Sequence, residues 1–201
     1  SATPMVYPLG EIVGAARMDS LIVAPVRTAT GYAFAKIQDA IDYQHTLNGD
    51  SIYVCDGGYV EQLAVTKQLH IKSVNGPENT SIITDIDTAS HYKGGVFINK
   101  DNCSLEGFTI YNLRGGDLAV DLSSCDNFLF KNSIIENYQN GIYGVGNSSK
   151  GNGYNLALNR FKNIDDTPIE LSYISKATIQ SNYFDYCSED RTILVENVKQ
   201  L

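Results

Sequence analysis

Leu105–Asn112 (LEGFTIYN), Phe130–Asn137 (FKNSIIEN), Leu156–Asn163 (LALNRFKN) and Ile179–Tyr186 (IQSNYFDY) are four versions of one pattern. Their first residues, Leu105, Phe130, Leu156 and Ile179, are spaced by 25, 26 and 23 residues. Ile110, Ile135, Phe161 and Phe184 keep the same intervals, and so do Asn112, Asn137, Asn163 and Tyr186. A period of this length marks a solenoid, in which each repeat buries its apolar face only by stacking on its neighbours. Inside the repeat, short β-rich runs are broken by Asn, Gly and Asp, leaving no room for a long helix. The pattern predicts an all-β chain wound as a single-stranded parallel β-helix. Each coil carries two or three strands, hydrogen-bonded to the next coil about 4.8 Å away.

Outward from the repeat, residues 51–201 read as the β-helix, with about six coils of ~24 residues each. Residues 28–50 read as a capping region. In Phe34–His45 (FAKIQDAIDYQH), Phe34, Ile37, Ala40 and Ile41 fall on one face, the spacing of an amphipathic helix. Thr28 or Thr30 is the expected N-terminal cap, and Gly49 suits a left-handed residue at its end. The first coil of a solenoid exposes an apolar end and unpaired strand edges, and this helix is the candidate plug. Residues 1–27 do not fit the repeat. They read as an assembly arm with a short strand at Leu21–Val26, lying along the solenoid or inserted into a neighbour. Thr84–Gly95 reads as a polar insertion between coils, and Arg191–Leu201 as a last strand run without a cap. An uncapped end templates aggregation unless another chain covers it, so the chain is expected to work inside a larger assembly, unless it is a fragment.

The run from Phe34 to Ile83 pairs an I-x-x-A-I helix core with Gly49-Asp50, an apolar strand, and a turn carrying Gly57/Gly58, Tyr59 and Glu61. It resembles the N-terminal coils of the right-handed parallel β-helix superfamily: pectin-lyase-like and NosD-like repeats, including pectin methylesterases and phage tail and surface proteins. With the downstream coils, the resemblance covers about two thirds of the chain. It implies a right-handed solenoid with an N-terminal helical cap. It implies no activity, because fold does not carry function.

A net charge of −8 from 15 basic and 23 acidic residues, the basic ones scattered, argues against a nucleic-acid partner. No apolar run approaches the ~20 residues that span a membrane, and Ser1–Met5 shows no signal-peptide pattern. The expected location is a virion or extracellular surface, reached after cytoplasmic synthesis. Cys55, Cys103, Cys125 and Cys187 lack zinc-site spacing and read as free thiols, with a Cys103–Cys125 bridge between adjacent coils as the alternative.

In the second strand of each coil, Leu118–Leu122, Ile142–Val145, Ile169–Leu171 and Ile193–Val195 alternate inward apolar with outward residues. If the registers hold, outward Asp121 and Glu170 lie two coils apart, about 9.6 Å, with Tyr143 between them. Carboxylates ~6.5–9.5 Å apart suit inverting glycoside hydrolysis, which makes this pair the candidate catalytic site. Tyr143 and Tyr173 are candidate glycan contacts, since a Tyr face stacks on a sugar ring. Asn112, Asn137 and Asn163 suit a structural asparagine ladder at one corner. No cofactor or metal is expected; Asp117, Asp121 and Asp126 are the nearest approach to a Ca²⁺ cluster.

The motifs of the enzymes that share this fold are missing. Pectin methylesterase Gln-Asp-Thr-Leu and epimerase Asp-Pro-His-Glu do not occur. Polygalacturonase-like Asp-Asp occurs at Asp165-Asp166, yet His45, His70 and His91 all precede it, so no Gly-His-Gly follows. The leading expectation is a non-catalytic structural or attachment module partnered by other protein subunits, a virion decoration or fibre protein or a glycan-contacting surface protein. The alternative is a carbohydrate-active enzyme, hydrolase or lyase.

Overall fold

In the repeat, the runs Ser104–Glu106, Phe128–Lys131, Gly153–Ala157 and Lys176–Gln180 are each followed by one left-handed residue, so the chain turns there within two residues. The computed structural model describes residues 5–6, 26–28, 31–85, 94–146, 153–188 and 192–196. The N-terminal part holds β1 (Met5–Val6), β2 (Val26–Thr28), β3 (Tyr32–Phe34) and α1 (Ile37–Asp42). Layer one is β4 (Ser51–Val54), β5 (Gly57–Val60) and β6 (Leu63–Val65). Layer two is β7 (His70–Ser73), β8 (Thr80–Thr84) and β9 (Val96–Ile98). Layer three is β10 (Ser104–Glu106) and the long β11 (Thr109–Asp121), which bends across a corner to serve two sheets. Layer four repeats that arrangement with β12 (Phe128–Lys131) and β13 (Ile134–Val145). Layer five is β14 (Gly153–Ala157), β15 (Arg160–Ile164) and β16 (Ile169–Ser172). Layer six is β17 (Lys176–Gln180), β18 (Tyr183–Cys187) and β19 (Ile193–Glu196). About five turns of winding thus separate the first-sheet strands β4, β7, β10, β12, β14 and β17.

All pairings from β4 to β19 are parallel, and they stack like residues on like. Ile52, Ile71, Leu105, Phe130, Leu156 and Ile179 share one register column. Tyr59, Ile82, Ile110, Ile135, Phe161 and Phe184 share a second. A third runs through Leu63, Val96, Val120, Ile142, Ile169 and Ile193. The two columns expected from the repeat are therefore real, and the Phe161 and Phe184 rings stack at 5.1 Å. Burial along each column is nearly complete until layer six, where Ile193 is 43% exposed and Phe184 half-buried.

The N-terminal strands depart from the parallel rule. β2 pairs antiparallel with β4, β3 with β2, and β1 with β3. β2 runs across the expected boundary between residues 27 and 28; residues 7–25, most of the expected arm, lie outside the described residues. The helix is shorter than its amphipathic pattern: α1 covers Ile37–Asp42, while Phe34 belongs to β3. Lys36 sits at the N-cap without a side-chain bond, and Thr28 instead accepts the Tyr32 N–H. The start of α1 is held from outside the helix. Glu61 Oε1 accepts the Ile37 N–H and Glu61 Oε2 the Gln38 N–H, both at 2.9 Å. Gln38 then behaves like a strand partner of β6, its amide donating to Ala64 O and accepting the Ala64 N–H.

The corners explain the spacing. Gly107 (φ 81°), Asn132 (φ 49°), Leu158 (φ 58°) and Ser181 (φ 55°) form one left-handed column after the first-sheet strands. One residue there reverses the pleat and turns the chain into the second sheet. Beside it, Ser133 and Asn159 are buried and carry a polar ladder. Ser133 Oγ accepts the Gly107 and Phe108 N–H groups, Asn159 Oδ1 that of Ser133, and Asn182 Oδ1 that of Asn159. Each amide also donates to a carbonyl, Asn159 to Phe130 and Asn182 to Leu156. Corner groups that strands cannot satisfy are met this way.

Candidate functional site

The outward column of the third sheet is Ala64, Phe97, Asp121, Tyr143, Glu170 and Leu194, read from five successive pairings. Asp121 and Glu170 therefore flank Tyr143 at a separation of about two strand spacings, ~9.6 Å. Burial pushes the Tyr143 hydroxyl above its ordinary range, and the negative charges of Glu170 and then Asp121 add to that. The phenol stays protonated and can donate.

One expectation about this column needs correction. Asp121 is not an exposed acid: it is 1% exposed, and its Oδ1 accepts the Ser123 N–H at 2.8 Å. It points away from the core column yet is covered, and it fixes the turn that ends β11, as a short acid after a strand does. Glu170 is half-buried on β16. Of the two candidate glycan contacts, Tyr143 sits in this column and Tyr173 does not. Tyr173 lies three residues beyond Glu170, the register partner of Tyr143, so ~10 Å further along the strand direction. It is 58% exposed in a left-handed turn (φ 54°), with its N–H bonded to Glu196 O.

The asparagines split. Asn137 and Asn163 take left-handed φ values of 63° and 51°, and Tyr186 continues that corner at 52°. Asn112 does not join them. It is buried, its Oδ1 accepts the Arg114 N–H at 2.7 Å, and its amide donates to the Thr84 hydroxyl at 3.0 Å. The reason is the irregularity between Tyr111 and Gly116, where β11 takes a wider path round the corner. Asn137 still reaches across, donating to Asn112 O. An amide-to-amide bond between layers does exist elsewhere, from Asn127 Nδ2 to Asn102 Oδ1 at 3.1 Å, with both residues left-handed. The signal for the buried ladder was printed in the repeat, whose fourth position reads Phe108, Ser133, Asn159, Asn182.

Asp117 is exposed while Asp121 and Asp126 are buried, so these acids face different surroundings. Among the described residues no three His, Cys, Asp or Glu side chains converge on one point. The four cysteines are free thiols, and burial pushes those of Cys103 and Cys125 up. Among the described residues, no helix is long and apolar enough to cross a membrane.

Parallel layers, left-handed corners and in-register columns define this chain as an all-β parallel β-solenoid. Comparison with solved structures agrees. A pectin methylesterase solved with a hexasaccharide superposes with a TM-score of 0.51 at 16% identity, over 79% of this chain and 63% of that one. Pectin methylesterase PemA from Erwinia chrysanthemi gives 0.53 at 16% identity, over 80% and 64%. At that identity the likeness is one of fold. In sequence, the chain is 32% identical over 133 residues to a cell surface glycoprotein of Methanothermus fervidus, covering 66% of this chain. The match spans 20% of that much longer protein. No protein-family model matches.

Proposed function

We propose that this chain is a non-catalytic structural or attachment β-helix module of a cell-surface protein, working within a larger assembly. The observation that carries the reading is the 32% identity to a cell surface glycoprotein over two thirds of the chain. That relative favours a cell surface over a virion for the site of action. Helix α1 serves as the plug at the N-terminal end. Its buried Ile37, Ala40 and Ile41 cover the first layer, and Glu61 and Gln38 tie it to β6. The test is labelling of intact source cells with a membrane-impermeant amine reagent, alongside light scattering of the purified chain. Labelling of the chain on intact cells, with self-association or binding to isolated envelope, is the expected result. A chain protected on intact cells, and a stable monomer without affinity for envelope, would overturn the reading.

One observation favours a second reading, a carbohydrate-active enzyme. Tyr143 feels both Glu170 and Asp121, and the fold is shared with pectin methylesterases. In that reading Glu170 is the half-buried acid that meets the substrate, while Asp121 holds the turn. Sugar or methanol release from a polysaccharide panel, lost in Glu170→Ala, would decide for it; a wild-type chain inert on the whole panel would decide against it.

A further inference from the structure

Corner one is turned by a single left-handed residue in layers three to five but by a six-residue loop, Val74-Asn75-Gly76-Pro77-Glu78-Asn79, in layer two. The longer loop folds down over its neighbours. Thr109 donates to Pro77 O at 2.8 Å, and a Cβ on Gly107 would stand 3.3 Å from Ser73 Cβ and 3.5 Å from Gly76 Cα. The overhang shelters a cavity of about 400 Å³, reaching Asn132 and Leu158 two and three layers on. Its floor is the outward column Lys72, Glu106 and Lys131, one residue from each of three adjacent strands. The side chains of these three make no hydrogen bond or ion pair among the described residues, although about 4.8 Å separates successive strands. Val74 (42% exposed) and Leu158 (54% exposed) offer apolar surface at the rim.

We propose that this cavity binds one acidic, carboxylate-bearing sugar unit. Two ammonium groups against one carboxylate leave a local positive charge on a chain whose net charge is −8, so the cavity selects an anion against the sign of the whole. Glu106 between the lysines disfavours a dianion and, as an acceptor, calls for hydroxyl donors. A carboxylate held by Lys72 and Lys131, hydroxyls on Glu106 and the Asn132 amide, and ring C–H groups on Val74 and Leu158 satisfy every element. The volume suits one pyranose with part of a neighbour. The backbone beneath the donors is fixed by strand pairing, so binding has only the side chains to order. The assignment rests on the surface-module reading only for where the ligand comes from, and this face lies away from the Asp121–Tyr143–Glu170 column.

The test is a ¹⁵N-HSQC titration of the chain with sodium glucuronate, and in separate arms with glucose and with inorganic phosphate. Glucuronate is expected to shift the Gly76, Gly107 and Asn132 amides with a Kd on the order of millimolar, with glucose and phosphate far weaker. Lys72→Ala and Lys131→Ala are each expected to weaken glucuronate roughly tenfold while leaving the rest of the spectrum in place. Lys131→Gln is the second variant should an alanine disturb the fold. Equal shifts with glucose, equal or stronger shifts with phosphate, shifts elsewhere, or unchanged affinity in the lysine variants would each overturn the proposal. Surface labelling of cells is unaffected by any of these outcomes, so failure here and failure of the surface reading are told apart.

Discussion

Glu61 is the side chain on which the junction of helix and solenoid turns, and its removal gives a sharp test. Its two oxygens accept the first N–H groups of α1, and a helix of six residues has few other means of holding its start. Truncation in Glu61→Ala leaves both donors without their partner. An N-terminal cap contributes about 0.5–2 kcal/mol and a hydrogen bond to a charged group about 1.5–3 kcal/mol, with desolvation of the carboxylate offsetting part of this. A net loss of ~2–4 kcal/mol follows. For a chain of this size that lowers the melting temperature by about 4–16 °C, at ~2–4 °C per kcal/mol. Glu61→Gln keeps one acceptor and turns an NH₂ toward the other N–H, so it also destabilises, by ~1–3 kcal/mol.

The pH dependence gives an independent arm of the same test. Burial raises the Glu61 carboxyl above its ordinary value of 4.5, against the opposing pull of the Gln38 and Ile37 N–H groups. Between that value and the raised one, the folded chain holds more protons at this site than the unfolded chain. The Glu61 contribution to stability therefore falls as pH rises through that window, and Glu61→Gln removes the slope. Urea denaturation followed by circular dichroism at several pH values reads both effects. A Glu61→Ala variant within ~0.5 kcal/mol of the parent, with an unchanged pH slope, would refute the reasoning.

Three further outcomes follow from the layers. Phe161→Ala empties a fully buried position and strands the half-buried Phe184 ring stacked on it, and should cost ~3–5 kcal/mol in chemical denaturation. Gly141→Ala would place a Cβ 2.3 Å from Pro168 O, so layers four and five must part locally; a loss of ~1–3 kcal/mol and faster amide exchange at Ile142 are expected. Leu158→Gly relieves a left-handed Leu that is 54% exposed, and should raise stability by roughly 0.5–1 kcal/mol in the same assay.

The repeat made the solenoid legible because stacking like on like is the only way a ~24-residue unit can bury its apolar side chains, so the columns of Ile110 and Leu105 had to appear in the spacing. The order of the outward column, Asp121, Tyr143, Glu170, was legible for the same reason, since parallel register follows from period alone. The exposure of Asp121 was not, because covering a side chain depends on how neighbouring turns fold over it. The start of α1 was misread at Thr28 because its true partner, Glu61, is 24 residues away and meets Ile37 only after the first layer closes. The cavity over Lys72, Glu106 and Lys131 likewise has no local signature. It exists because one corner loop is six residues long where its neighbours use two, and only the tertiary stacking brings that overhang above three strands. Sequence period determined which residues share a column; packing between layers decided which of them water can reach.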